Sequence, residues 1–150
     1  MKLASANDTY GLALSPSAQH IAYWVSDGIE LQNLRSQQKR RVLNQLNKFI
    51  AEKNRLYSYG GITWSADEKR LYFMVGKPCV FDDLWNTRII ELDIATGQSQ
   101  QVYEGNEMMR LHKALPDGDL ILMNFGTNEQ GEWGRRYWRF NLKTQKLVAN

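Results

Sequence analysis

Short apolar runs, each bounded by a turn signal, succeed one another from about residue 10 to the end of the chain, and three stretches keep the same order. Ser15-Pro16-Ser17 leads into Ile21-Ala22-Tyr23, Ser65-Ala66-Asp67 into Leu71-Tyr72-Phe73, and Leu115-Pro116-Asp117-Gly118 into Leu120-Ile121-Leu122-Met123. Residues 16, 66 and 116 mark one point of this template, so the repeats lie 50 residues apart. A period on the order of 40 to 50 residues built from short strands belongs to arrays of small sheets.

Each repeat predicts four strands. The first alternates apolar and polar positions: Tyr10–Leu14, Gly61–Trp64 and Arg110–Ala114. A turn follows, and Pro116-Asp117-Gly118 signals it most strongly, since proline presets φ and glycine accepts a positive one. The second strand is nearly continuous in its apolar character (Ile21–Val25, Arg70–Val75, Leu120–Phe125), which suits a strand covered on both faces. The third closes in Asn33-Leu34-Arg35-Ser36, Asp93-Ile94-Ala95-Thr96 or Asn141-Leu142-Lys143-Thr144. In that pattern an Asx carboxyl or amide oxygen can tie down the next turn. A short fourth strand follows at Arg41–Leu43, Gln101–Tyr103 and Lys146–Val148. The expected fold is therefore all-β, with three four-stranded antiparallel blades at about 10–43, 61–103 and 110–149 and an insertion at 44–60.

Three features depart from the template. The first repeat has one extra residue near 31–34, which predicts a bulge there. Val42, Leu46, Phe49 and Ile50 fall at helical spacing. A short helix near 43–54 thus competes with the strand that the repeat requires at 41–43. The stretches 76–87 and 126–136 read as long hairpin connections carrying Trp85 and Trp133, and loops on a rigid scaffold often carry binding residues. These two tryptophans are the candidate binding residues, with packing of each hairpin against its own sheet as the competing reading.

Composition supports strands over helices. Five Trp and seven Tyr suit a pleated, half-buried surface. The net charge of +3 is partly local, in Lys39-Arg40-Arg41 and Arg135-Arg136. Such runs serve as anion-binding patches or as solvated strand edges that discourage aggregation. No nucleic-acid motif accompanies them, which favours the edge reading and speaks against direct nucleic-acid binding.

No catalytic constellation emerges. The two histidines, His20 and His112, lie beside strands outside any nucleophile or metal motif and read as structural or surface residues. Cys79 is the single cysteine, so an internal disulfide is excluded, no zinc spacing exists, and it reads as a small apolar filler. Asp82-Asp83 reads as a solvated hairpin tip. The expectation is a non-enzymatic chain with no catalytic residues, no metal and no cofactor. No run of about 18 apolar residues marks a membrane segment, and the abrupt entry into the first repeat reads as the start of an excised fragment.

The phrases Ile62-Thr63-Trp64-Ser65-Ala66-Asp67-Glu68-Lys69-Arg70-Leu71-Tyr72-Phe73 and Glu91-Leu92-Asp93-Ile94-Ala95-Thr96-Gly97 resemble the TolB-like, WD-related propeller repeat. The third repeat shares Pro116-Asp117-Gly118 and Asn141-Leu142-Lys143-Thr144, and the first shares Leu14-Ser15-Pro16 and Asn33-Leu34. The resemblance implies blades used as a binding scaffold. Such blades occur in periplasmic Tol-system proteins, in the gating propellers of prolyl-oligopeptidase-like peptidases, and in the extracytoplasmic sensors of winged-helix regulators resembling CadC and ToxR. It carries no catalytic residue onto this chain, and it implies a periplasmic location.

Propellers have four to eight blades, whereas three are read here. Both terminal blades would then present unpaired apolar faces, and burying such a face is worth about 25 cal/mol per Å². The expected partners are a protein or a second copy, the latter completing a six-bladed dimer, with a small-molecule ligand as a further option. The leading functional expectation is a sensing or interaction module of a transcriptional regulator. The alternatives are part of a peptidase's gating propeller and a TolB-like interaction scaffold.

Overall fold

The computed structural model describes residues 11–25, 28–44, 58–78, 84–105 and 109–150, and the side chains among these except those of 58–60, 77–78 and 84–86. Twelve strands form three antiparallel meanders. The first sheet holds β1 (Leu12–Leu14), β2 (His20–Val25), β3 (Gly28–Asn33) and β4 (Lys39–Leu43). The second holds β5 (Ser58–Trp64), β6 (Arg70–Pro78), β7 (Leu84–Asp93) and β8 (Ser99–Gly105). The third holds β9 (Arg110–Ala114), β10 (Leu120–Thr127), β11 (Trp133–Asn141) and β12 (Lys146–Ala149). The all-β expectation of three four-stranded sheets is what the chain adopts. The helix expected near 43–54 lies almost wholly outside the described residues, as do Cys79 and Asp82-Asp83.

The turns explain why such divergent repeats fold alike. Ala18, Glu68 and Gly118 take positive φ at the same place in the first turn, at 58°, 59° and 95°. In the two non-glycine turns a serine replaces the missing freedom with bonds. Ser15 Oγ accepts the His20 N–H at 3.1 Å, and Ser65 Oγ accepts the Arg70 N–H at 3.0 Å. The later turn repeats as well. Asn33, Asp93 and Asn141 each offer Oδ1 to the backbone N–H three residues on, at 2.9, 2.9 and 2.8 Å. These are the Asx ties that the sequence pattern predicts.

Three expectations are corrected. Strand pairing runs out to Pro78↔Leu84 and Thr127↔Trp133, so most of the stretches 76–87 and 126–136 is hairpin arm, and both tryptophans are strand residues. The glycines in these arms lowered their apparent β character, yet the cross-strand ladder holds them. β5 begins at Ser58, inside the stretch expected as an insertion. The bulge in the first sheet lies at Ile29/Glu30 opposite β4, and the second sheet has its own at Ile89/Ile90 opposite β8. It is therefore a shared element of the repeat that skips Val42 in one sheet and Val102 in the other.

The sheets stack in order, with the innermost strands β1, β5 and β9 adjacent. Side chains alternate across a strand, and β6 is buried on both sides. Leu71, Phe73 and Val75 join Ala22, Ile29, Leu31 and Leu43 of the first sheet in one core. Tyr72 and Met74 join Leu111, Leu120, Leu122 and Phe140 of the third in another. Trp24 meets Phe73 edge-on at 5.3 Å, and the Trp64 indole N–H donates to Ala13 O across the same interface at 2.9 Å.

Candidate functional site: the outer face of the third sheet

Because cross-strand partners share a face, the ladders of the third sheet fix what it presents away from the second. Leu120↔Phe140 and Leu122↔Trp138 point inward. Ile121↔Arg139, Met123↔Tyr137, Phe125↔Arg135 and Thr127↔Trp133 point outward, joined by Arg110 and Lys113 of β9 and Val148 of β12.

This face has an apolar floor and a cationic border. Ile121 and Met123 are buried, whereas Phe125, Val148 and Trp133 are 42%, 54% and 72% exposed. Three of the five large exposed apolar residues among the described ones therefore share it. Arg110 lies over the Phe125 ring at 5.8 Å, a contact that a desolvating partner would strengthen.

Charge on this face is partly neutralised from within. Arg139 Nε donates to Asp119 Oδ2 at 2.7 Å, and its terminal nitrogen donates to Asp117. The Asp117 carboxyl is held below the usual carboxylate range, first by the Asp119 backbone N–H and then by Arg139. Lys113 and Arg135 remain as the positive border.

A shallow pocket of about 330 Å³ opens between His112, Lys113, Leu115, Ile121, Tyr137 and Asn150. His112 is the residue skipped by the bulge in the β9–β10 ladder, and its ring stands 5.2 Å from Tyr137. Burial first, and then Lys113 and Arg135, push its pKa below the ordinary histidine value, which favours the neutral ring.

Of the two tryptophans predicted as binding residues, Trp133 stands at the open end of this face. Trp85 pairs with Lys77 in the second sheet, and its side chain lies outside the described ones. The structure thus puts the two on different sheets. Sequence reasoning missed Phe125, Tyr137 and Val148, although alternation along β10 and β11 would have found them once the hairpin was extended. Among the described residues no group of three or more His, Cys, Asp or Glu could hold a metal, and no helix is long and apolar enough to cross a membrane.

No protein-family model matches the chain, and no curated protein matches it either. Solved structures do. The β-propeller domain of the Trilobed protease from Pyrococcus furiosus matches over 95% of this chain and 44% of its own, at 16% identity and a TM-score of 0.52. The fold is that of β-propeller blades. TolB from Acinetobacter baumannii matches over 98% of this chain at 19% identity and a TM-score of 0.60. An oligogalacturonate lyase solved with manganese matches over 99% at 15% identity and a TM-score of 0.65. The chain spans a third of the TolB chain and 41% of the lyase.

Proposed function

We propose that these blades form a non-enzymatic protein-interaction module whose docking surface is the outer face of β9–β12. The observation that carries this reading is the coincidence of Phe125, Trp133 and Val148 on one exposed sheet face beside Lys113 and Arg135. Aromatic anchors with a charged rim are the usual make-up of a contact surface. The partner is a protein surface with an apolar centre and acidic flanks, because a second copy docking by this same face would oppose like charges. The finer reading is that of an extracytoplasmic sensor for a winged-helix regulator resembling CadC and ToxR, supported by the repeat motifs alone. The second reading, a segment of a gating propeller in a peptidase, is favoured by the likeness to the Trilobed protease propeller. A winged helix and a membrane segment encoded upstream in the parent gene would select the first, and a G-x-S-x-G hydrolase domain downstream the second.

The docking face is tested by placing a photo-crosslinking residue at Val148 and, separately, at Gln32 on the opposite end of the stack. Adducts from position 148 that vanish on Arg135→Glu, with none from position 32, are the expected result. Equal labelling from both positions, or adducts indifferent to the charge reversal, would contradict it.

A further inference from the structure

Independently of the docking face, the strand registers expose a difference between the two sheet–sheet interfaces. Across the second and third sheets, Tyr72, Glu91 and Gln100 lie side by side in the ladder, next to Arg70. Glu91 organises them. It stands 3.8 Å from Arg70 Nε, accepts from Gln100 Nε2 at 3.0 Å, and accepts from the Tyr72 hydroxyl at 3.1 Å. The third sheet holds the reversed pair, Asp119 with Arg139.

In the first sheet the same registers put Ala22 where Tyr72 stands, Leu31 where Glu91 stands, Arg40 where Gln100 stands and His20 where Arg70 stands. Hydrogen-bond donors are thus kept at both positions, while the carboxylate that would bind them is replaced by leucine and the tyrosine ring by alanine. A cleft of about 780 Å³ lies beside Leu31 and Arg40, between the first and second sheets. That is within the range of small-molecule sites, a few hundred to about 1,000 Å³.

Its apolar wall is Leu31, Trp64 and Ile94, and its polar groups include His20, Asn33 and Arg40, with Lys39 at the rim because it pairs with Gln32 of the outer face. The one carboxylate on the lining, Glu68, is turned to Ser17, whose N–H and hydroxyl donate to it at 2.9 and 2.7 Å. Among the described residues, no carboxylate bridges to Lys39 or Arg40 within ion-pair distance. The geometry points to a binding site for a small organic anion, whose carboxylate or phosphate takes the place of the absent Glu91 equivalent against Arg40 and His20. Its apolar body lies along Trp64 and Ile94. The consecutive cations at 39–41 therefore divide: Arg41 stands opposite Glu30 on the outer face, and Arg40 faces the cleft.

The test is an NMR titration of the whole chain with phenyl phosphate, phenylacetate and the neutral benzyl alcohol, following the Trp64 indole N–H and the Ile94 methyls. Saturable shifts with at least one of the anions and none with benzyl alcohol are expected, and the stronger anion tells phosphate from carboxylate. Arg40→Gln installs on an exposed strand the residue found in the second sheet. It should weaken binding about tenfold or more, the scale of one charge-assisted hydrogen bond, while Arg40→Lys retains most of it. Leu31→Glu should abolish binding by supplying the protein's own carboxylate. No saturable shift with either anion, equal shifts with benzyl alcohol, or an Arg40→Gln variant that binds like the parent would overturn the proposal.

Discussion

The two outer faces of the stack are opposite faces of the repeat, and they are filled differently. Where the second sheet meets the first, it offers Leu71, Phe73, Ile90 and Leu92, all buried. At the matching positions on its own outer side, the first sheet carries Ile21, Tyr23, Glu30 and Gln32. Tyr23 donates its hydroxyl to Glu30, and burial first and then Glu30 push the phenol pKa up to about 12. That side is polar along β3, and among the described residues on it only Leu14 is both large and half exposed. The other end of the stack keeps apolar residues along β10 and adds aromatics along β11. A repeat can thus be made fit for water by changing two positions of one strand. The expectation of two apolar end faces holds for the third sheet and only along β1 and β2 of the first.

The largest expected effect comes from breaking the stack itself. Phe73→Ala empties a fully buried site that touches Trp24 and should cost about 3–5 kcal/mol in urea unfolding. Phe125→Ala, on the outer face, should change stability by no more than about 0.5 kcal/mol. Next in size is Asp119→Ala. It removes the acceptor of Arg139 Nε and of the Asn141 amide at a buried position and should cost about 1–3 kcal/mol. The comparison is sharpened by Glu30→Leu with Gln32→Leu, which gives the outer side of the first sheet the apolar character of the equivalent, buried side of the second. Sedimentation should then show concentration-dependent association that the parent lacks at that face.

The smallest effect is a pH dependence. The Glu68 carboxyl is held below its ordinary value, first by the Ser17 backbone N–H and then by the Ser17 hydroxyl. A lowered folded-state pKa stabilises above the ordinary carboxylate range and loses that contribution as pH falls through the lowered value. Glu68→Gln should therefore flatten the acid limb of the stability profile slightly, with no change at neutral pH beyond the lost contact between the sheets.

What could be read from the residues alone was set by turn chemistry. Asn33, Asp93 and Asn141 act through their own backbone, so their spacing reveals the third strand of every sheet without knowledge of the rest. Strand length was less legible, because Gly76, Gly126 and Gly134 resemble turn residues until a partner strand holds them in a ladder. Trp133 was singled out in sequence as a candidate binding residue, whereas Phe125 and Val148 needed the register that puts them beside it. In sequence, Arg40 belonged to a run weighed as an anion-binding patch or a solvated edge, and His20 read as a structural or surface residue. Their meaning comes from comparison with Arg70 and Gln100, and that requires the strand registers.

The central claim is a stack in which the second sheet is covered on both sides by equivalent interfaces. A single NOESY spectrum tests it through two ring pairs, Trp24 with Phe73 at 5.3 Å and Tyr103 with Phe140 at 5.1 Å. Cross-peaks within both pairs are the predicted result. A spectrum showing one pair without the other, or Trp24 in contact with the rings of the third sheet, would contradict it.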